Sequence, residues 1–215
     1  MFRLVIFDLD GTLLNTIGDL AAAGNHTLAE MGFPQHEEDK YRHFVGNGIP
    51  KLIERMLPAG HDKATEERAF AMFNEYYSRH KCDHTKPYPG IPELIRDIKA
   101  QGVVCGANSN KADEFTRELI RLNYGDEFDQ VIGFGAGFQP KPDPGAALEI
   151  IRRTGVKPEE ALYVGDSDVD IMTGHNAGIS VCAALWGFRG YDELAAQNPT
   201  FFAHNAEELK KIILG

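Results

Sequence analysis

Two aspartates stand one residue apart near the start of the chain, where Asp8 and Asp10 follow the apolar run Leu4–Phe7 in "LVIFDLDGT". The run is short and rich in residues that favour strands, so it predicts a buried β-strand that ends at the acids. Neighbouring carboxylates repel each other and are costly to bury unless a cation or a bound proton compensates them. Aspartate and glycine are also ordinary turn residues. The segment by itself therefore indicates either a ligand site or a polar turn.

Polar side chains with complementary chemistry follow three further segments of the chain. They are Ser109, Asn110 and Lys111 in "GANSNK", Lys141 in "QPKPDP", and Asp166 and Asp170 in "VGDSDVD". The carboxyl ends of parallel strands meet at one edge of a sheet, which is where open α/β sheets bind ligands. If these segments follow such strands, they bring together up to four carboxylates, a hydroxyl, an amide and an ammonium group.

This set of groups predicts a magnesium site with a phosphate receptor beside it. Mg²⁺ is usually held by one or two carboxylates, by water and by phosphate oxygens of the substrate. Ser109, Asn110 and Lys141 would donate to phosphate oxygens, and an uncommitted aspartate near a phosphate can act as a nucleophile. Taken singly, each residue has a plainer structural explanation, such as a solvated loop lysine for Lys141 or a helix cap for Ser109, Asp166 and Asp170.

The pattern of secondary structure changes along the chain. From Thr16 to Tyr77 the apolar residues recur at helical spacing, and no convincing strand interrupts them. After residue 84, apolar runs alternate with helical segments, which is typical of a parallel sheet covered by helices on both faces. We therefore predict an α/β fold, with a doubly wound, Rossmann-like parallel sheet formed by residues 1–14 and 84–215. An α-helical cap domain of residues 15–83 is predicted to be inserted directly after the first strand, over the carboxyl ends of the strands.

Composition and charge exclude several classes of function. The 215 residues carry a formal net charge of −10, which argues against nonspecific binding to nucleic acid, because such binding requires a basic surface. An anionic substrate would then need local positive charge from a metal or a lysine. No apolar stretch is long enough to span a bilayer, and the three scattered cysteines suggest no disulfide framework. We therefore predict a cytoplasmic protein with no membrane partner.

Four short segments resemble, in the same order, the four motifs of the haloacid dehalogenase-like phosphohydrolases. They are "DLDGT", "SNK", "KPDP" and "GDSDVD", and the match spans nearly the whole chain. The position of the helical insertion resembles the helical-cap subgroup of that family. Within the subgroup, "FVGNGIPKLIERML" and "YPGIPELI" are similar to segments of bacterial phosphoglycolate phosphatases. The resemblance implies a Mg²⁺-dependent phosphomonoester hydrolase that acts on a small-molecule phosphate ester, with 2-phosphoglycolate favoured, as a monomer or a homodimer.

The resemblance also implies roles for individual residues. Asp8 would attack phosphorus and form an aspartyl-phosphate, and Asp10 would protonate the leaving oxygen and then activate water. The first of these roles requires a protonated Asp10. Ser109 and Lys141 would hold the phosphoryl oxygens, with Asn110 close to them.

The implied metal ligands and cap residues complete this expectation. Mg²⁺ would be held by Asp8, the backbone carbonyl of Asp10, Asp166, and Asp170 directly or through water. The cap loop Gly46, Asn47 and Gly48 resembles the loop that closes over the substrate, and Asn47 and Arg55 are candidates for setting selectivity. Asn108 occupies a position that is usually apolar in the family, so the second core strand is expected to end early.

Alternatives to a phosphoglycolate phosphatase stay open. A β-phosphoglucomutase-like phosphomutase would have the same fold, although such enzymes tend to have valine or isoleucine where this chain has Thr12. Pyrophosphate, a nucleotide monophosphate or a sugar phosphate could also be the substrate. A catalytically idle binding protein would be expected to lack at least one of Asp8, Asp10, Lys141 and Asp166, and all four are present.

Overall fold

Six parallel strands form the central sheet of the protein, which a computed structural model describes over residues 1–215. In spatial order they are β5 (Gln130–Phe134), β4 (Val104–Ala112), β1 (Leu4–Phe7), β6 (Ala161–Gly165), β7 (Ser180–Ala184) and β8 (Phe201–Ala203). The chain therefore winds outward from β1 in both directions, as a doubly wound sheet does. The predicted fold class is confirmed.

Helices cover both faces of this sheet and form the inserted segment. They are α1 (Ile17–Glu30), α2 (Glu38–Phe44), α3 (Ile49–Met56), α4 (Lys63–His80), α5 (Ile91–Ala100), α6 (Asp113–Tyr124), α7 (Gly145–Thr154), α8 (Asp168–Asn176), α9 (Tyr191–Ala195) and α10 (Ala206–Leu214), with a single 3₁₀ turn at Pro158–Glu160. No helix combines the length and the apolar character that crossing a membrane requires.

The strand β1 lies at the centre of the sheet and is completely buried. Its side chains alternate between two apolar clusters, with Val5 and Phe7 in one and Leu4 and Ile6 in the other. A strand buried on both faces has no polar side, which explains why its sequence is a continuous apolar run. Leu4 pairs with residues of both β4 and β6, so the ends of these three strands lie side by side.

The helices α1 to α4 pack around an apolar cluster of their own, which includes Leu20, Leu52 and Phe73. The chain enters and leaves this helical segment through a short antiparallel ribbon of β2 (Leu14–Asn15) and β3 (Lys86–Pro87). The sequence did not predict this ribbon, because two residues per strand are too few to show an alternating pattern. The boundaries at residues 14/15 and 83/84 stay a prediction.

The expected early end of the strand at Asn108 is wrong. The strand β4 continues to Ala112, and its backbone pairs with β5 at Asn108 and Ile132 before the register shifts. A polar side chain does not end a strand whose backbone groups still have partners on a neighbouring strand. The continued strand carries the "SNK" residues past the end of β1, toward the helical segment.

Candidate active site

The candidate site residues converge at the carboxyl ends of three adjacent strands. Asp8 and Asp10 follow β1, Ser109 lies near the end of β4, and Asp166 follows β6. Lys141 comes from the loop between β5 and α7, and Asp170 lies in the first turn of α8. The sheet order β4–β1–β6 places these strand ends side by side. Residues as far apart in the chain as Asp8 and Asp170, which are 162 positions apart, can therefore meet.

Three carboxylates form a buried acidic cluster. Oxygen atoms of Asp8, Asp166 and Asp170 all lie within 4.8 Å of one another. Burial, followed by the charge of Asp170, raises the pKa of Asp8 well above its ordinary value and the pKa of Asp166 to about 7. Raised values mean that the protein alone leaves these negative charges incompletely compensated. Three oxygen donors with surplus negative charge fit a hard divalent cation such as Mg²⁺.

Asp166 is held in the cluster by donors from two loops. The hydroxyl of Thr12 donates to Oδ1 at 3.0 Å, and the backbone N–H of Phe188 donates to Oδ2 at 2.7 Å. Gly11 has a φ of +92°, and a Cβ atom added there would collide with the Asp166 carboxylate. Glycine in "DLDGT" is therefore required both for the backbone turn and for the close approach of Asp166.

Lys141 is the cation of the acidic cluster. Its Nζ lies 2.7 Å from Oδ1 of Asp8 and 2.6 Å from Oδ1 of Asp170. Burial would lower the pKa of Lys141, but Asp170 and Asp8 outweigh it and raise that pKa above its ordinary value. The plainer explanation of Lys141 as a solvated loop lysine is therefore wrong. The other oxygen of Asp170 accepts from the N–H and the hydroxyl of Ser167, so both oxygens of Asp170 are engaged.

Asn110 and Ser109 play different parts at the end of β4. The Asn110 amide accepts from the Lys141 N–H at 2.7 Å and donates to the Lys141 and Gly46 carbonyls at 3.3 and 3.1 Å. Its side chain therefore joins the Lys141 loop to the helical segment. The Ser109 oxygen accepts from the N–H of Lys111 at 3.2 Å, and its own hydroxyl proton is left to donate into the cavity that it lines.

Lys111 is a site residue to which the sequence interpretation gave no role. Its Nζ lies 3.0 Å from both carboxylate oxygens of Asp10 and 4.8 Å from the centre of the Tyr77 ring. The side chain is 1% exposed. Burial would lower the pKa of Lys111, but Asp10 and Tyr77 outweigh it and raise that pKa. A signal existed, because residues two apart on a strand point to the same side, and Lys111 is two residues after Ser109.

The helical segment closes the site with apolar residues and backbone. The cavity is about 30 Å³, a few times the minimum for one water, and the helical segment lines it with Leu20, Val45, Gly46, Gly48, Ile49 and Leu52. Gly48 has a φ of +84°, and a Cβ there would lie 3.3 Å from the Asn110 carbonyl. The predicted loop residue Asn47 is outside the lining, and its amide oxygen accepts from Arg55 at 2.8 Å on the exposed side.

Arg189 is a second residue that the sequence interpretation missed. It follows Phe188, the residue whose N–H binds Asp166, and it is almost completely buried. Its guanidinium donates to the carbonyls of Arg42 and Val45 at the end of α2, the latter at 2.8 Å, and pairs with Glu193 at 2.9 Å. Cations at a helix carboxyl terminus stabilise it. Arg189 therefore joins the loop behind the acidic cluster to the helix that leads into the cap loop.

Removing this contact is expected to loosen the cap loop. In Arg189→Met, amide hydrogen exchange in residues 42–49 should accelerate by about tenfold or more, because hydrogen bonds to a charged group contribute roughly 1.5–3 kcal/mol. Mass spectrometry of exchange on intact protein measures this directly. Arg152→Met is the control, because Arg152 makes a comparable 2.7 Å pair with Glu149 on an exposed helix face. Equal exchange of residues 42–49 in both variants would show that Arg189 does not hold the loop.

Comparison with known proteins identifies what this arrangement is similar to. The family model described as "Haloacid dehalogenase-like hydrolase" matches residues 5–184. The phosphoglycolate phosphatase of Aquifex aeolicus (strain VF5) is 35% identical over 98% of this chain and 96% of its own length. The phosphoglycolate phosphatase of Pseudomonas putida (strain KT2440) is 36% identical, over 92% of this chain and 75% of its own.

Solved structures agree with the sequence relatives. A crystal structure of a protein from Lactobacillus delbrueckii subsp. bulgaricus superimposes with a TM-score of 0.94 at 28% identity, covering 100% of this chain and 99% of that one. The crystal structure of a predicted phosphoglycolate phosphatase from Haemophilus somnus 129pt gives a TM-score of 0.92 at 27% identity, covering 98% and 97%. Both superpositions include the helical segment as well as the sheet.

Proposed function

The chain belongs to the haloacid dehalogenase-like hydrolase family, and from that premise we propose that it is a Mg²⁺-dependent phosphatase that hydrolyses 2-phosphoglycolate to glycolate and phosphate. The main support for this proposal is one buried cluster. It contains the carboxylates of Asp8, Asp166 and Asp170 together with the Lys141 ammonium. Such a cluster combines hard oxygen donors with a cation at the place where a phosphoryl group would bind. The named activity of the Aquifex and Pseudomonas relatives supports the choice of substrate.

The donor set of the cluster fits a magnesium ion. We propose that Asp8 and Asp166 hold it directly with the backbone carbonyl of Asp10, and that Asp170 contributes directly or through water. When bound, Mg²⁺ offsets the negative charge of the carboxylates and of the phosphoryl group.

The chemistry is assigned to residues at the end of β1. The Asp8 carboxylate attacks phosphorus, the bond from phosphorus to the ester oxygen breaks, and an aspartyl-phosphate forms. Asp10 gives its proton to the departing ester oxygen, which leaves as the hydroxyl of glycolate. Water then attacks phosphorus, Asp10 takes its proton, and Asp8 is released together with phosphate. The Ser109 hydroxyl and the Lys141 ammonium bind phosphoryl oxygens in both steps.

The cavity between core and cap is shielded from water. Leu20, Val45, Ile49 and Leu52 close it with apolar side chains, which excludes water and strengthens the electrostatic interactions inside. The finer expectations of a cytoplasmic location and of a monomer or homodimer stay predictions.

Phosphate release from a panel of phosphomonoesters tests the proposal. The panel contains 2-phosphoglycolate, β-glucose 1-phosphate, pyrophosphate and nucleotide monophosphates, each assayed with Mg²⁺ and with a chelator. The expected result is Mg²⁺-dependent release that is fastest from 2-phosphoglycolate. Preference for another ester would replace the substrate and leave the phosphatase chemistry. No release from any ester by folded protein would contradict the proposal as a whole.

Magnesium is expected to stabilise the protein more at neutral than at acidic pH. Burial and Asp170 raise the pKa of Asp166 from 3.8 to about 7, so between these values the folded state binds the proton that the unfolded state releases. The contribution of Asp166 to the free energy of unfolding therefore falls as the pH rises through this window in the absence of metal. Bound Mg²⁺ replaces the proton, so its effect on Tm should be larger at about pH 7.5 than at about pH 5.5.

Thermal unfolding with Mg²⁺ or with a chelator at the two pH values measures this difference. Asp166→Asn should remove most of the Mg²⁺ effect and flatten the pH dependence, whereas Asp168→Asn should leave both unchanged. Asp168 is the matched acid, since it lies two residues after Asp166, at the start of α8, and outside the acidic cluster. An equal Mg²⁺ effect at both pH values in the unaltered protein would contradict the assignment of Asp166 to the metal.

A further inference from the structure

Lys111 places a buried ammonium group at the part of the cavity where the leaving group would lie. Its Nζ contacts both oxygens of Asp10 at 3.0 Å, and Asp10 is the residue assigned to the leaving oxygen. A lysine that is 1% exposed is costly to bury unless an anion compensates its charge. The phosphoryl and metal functions proposed above do not use Lys111, because Lys141 and Ser109 serve them.

The charges that line the cavity leave Lys111 as the one cation beside the leaving group. The lining contains two cationic side chains, Lys111 and Lys141. Lys141 is held between Asp8 and Asp170 at the phosphoryl end. The helical segment adds only apolar side chains and glycine backbone to the lining. A substrate with a negative charge on its leaving group would therefore meet a compensating side-chain cation only at Lys111.

The geometry around Asp10 defines where such a charge would lie. A residue that protonates the ester oxygen must be within hydrogen-bond distance of that oxygen. In 2-phosphoglycolate the carboxylate carbon is two bonds away from the same oxygen, so a cation in contact with Asp10 is within reach of the carboxylate. The Tyr77 ring lies against the Lys111 ammonium, with 4.8 Å from Nζ to the ring centre, and helps to fix the position of that ammonium beside Asp10.

We propose that Lys111 is a specificity-determining residue that binds the carboxylate of the leaving group. The substrate class of the enzyme is then the phosphomonoesters that carry a carboxylate on the carbon next to the ester oxygen. The inference rests on the proposed phosphatase function and adds to it the residue that selects the substrate. Lys111 also holds Asp10 in place, and a test must separate these two effects.

Two esters that differ only at the proposed contact separate them. The first is 2-phosphoglycolate and the second is 2-hydroxyethyl phosphate, in which CH₂OH replaces the carboxylate. The unaltered enzyme is expected to prefer the carboxylate by about 30-fold in kcat/KM, as a hydrogen bond to a charged group implies. In Lys111→Met the preference should fall to within about threefold of unity. Any disturbance of Asp10 affects both esters alike and cancels in the ratio.

The loss is expected mainly in KM for 2-phosphoglycolate. The carboxylate is bound in the ground state as well as in the transition state, so removing its partner weakens binding more than it slows turnover. A residue that acted only through Asp10 would instead lower kcat for both esters. Lys111→Arg keeps a positive charge and should retain a preference above about tenfold.

Lys81→Met is the matched control. Lys81 is also a buried lysine, with its ammonium 3.1 Å from Glu118 and 5.4 Å from the centre of the Phe115 ring, but it lies outside the cavity lining. Its removal should leave the preference between the two esters unchanged. A general effect of losing a buried cation would appear in both variants.

Each outcome bears on one proposal. An unchanged ratio in Lys111→Met overturns the assignment of Lys111 while leaving the phosphatase intact. Equal turnover of the two esters by the unaltered enzyme overturns it as well, and this measurement needs no variant to fold. No Mg²⁺-dependent release from either ester by the unaltered enzyme contradicts the proposed function instead.

Discussion

Asp8→Asn is expected to reduce phosphate release from 2-phosphoglycolate by about 10⁴-fold or more, because an amide oxygen does not form the aspartyl-phosphate on which turnover depends. The fold should survive the change. Burial and Asp170 raise the pKa of Asp8 well above its ordinary value, so its carboxylate destabilises the metal-free protein at neutral pH. Asparagine removes that charge at nearly the same volume. The variant should therefore melt at the same temperature or higher in chelator, as circular dichroism would show.

A nearby acid provides the control for this prediction. Asp168→Asn changes an aspartate in the first turn of α8 that lies outside the acidic cluster, and it should reduce turnover by less than about threefold. Rapid quenching of the unaltered enzyme during turnover should also trap a phosphoryl group on the peptide that contains Asp8. Turnover by Asp8→Asn within tenfold of the unaltered enzyme would show that the covalent mechanism is wrong.

Lys141→Met is expected to cost about 3–5 kcal/mol in the free energy of unfolding, because it leaves Asp8 and Asp170 buried without their shared cation. Urea unfolding at neutral pH in chelator measures the loss. The loss should shrink as the pH is lowered, since protonation removes the charge that Lys141 compensated. Added Mg²⁺ should restore part of the stability by supplying another cation. Turnover should be lost even where the variant is folded, because the phosphoryl oxygens lose their ammonium donor.

An exposed ion pair of the same length provides the comparison. Lys210 lies 2.7 Å from Asp97, with the two side chains 40% and 51% exposed. Lys210→Met should cost less than about 1 kcal/mol, because water already solvates both charges. Equal losses in the two variants would mean that the burial of the Lys141 cluster does not govern its contribution.

The fold class followed from local patterns in the chain. Alternating apolar runs and helical segments after residue 84 indicated a parallel sheet, and helical spacing from Thr16 to Tyr77 indicated an inserted bundle. These patterns are readable because burial imposes a fixed period on a strand or a helix. The β2–β3 ribbon was not predicted, because each of its strands has only two residues. The strand β4 was expected to stop at Asn108 and did not, because the pairing with β5 outweighed the polar residue.

The chemical character of the site could also be predicted from the sequence. Aspartates, a serine and a lysine at predicted strand ends indicated a cation and a phosphate, and their order matched the family. Such residues can be identified without a structure because they lie in or soon after segments that are predicted as strands from their composition. Their individual roles stay proposals, and the experiments above test them one at a time.

The pairing of these residues with one another depended on the tertiary structure. Lys111 meets Asp10 across 101 positions of the chain, and Arg189 meets Val45 across 144. Asn110 is engaged by the Lys141 loop and by Gly46, and Asn47, a candidate for setting selectivity, lies outside the cavity lining. The types and order of the chemical groups can be predicted from short segments of the sequence, because strands and helices impose local periods on them. Which ammonium faces which carboxylate depends instead on the register between β4 and β1 and on how the helical segment packs against them, and no local period encodes either.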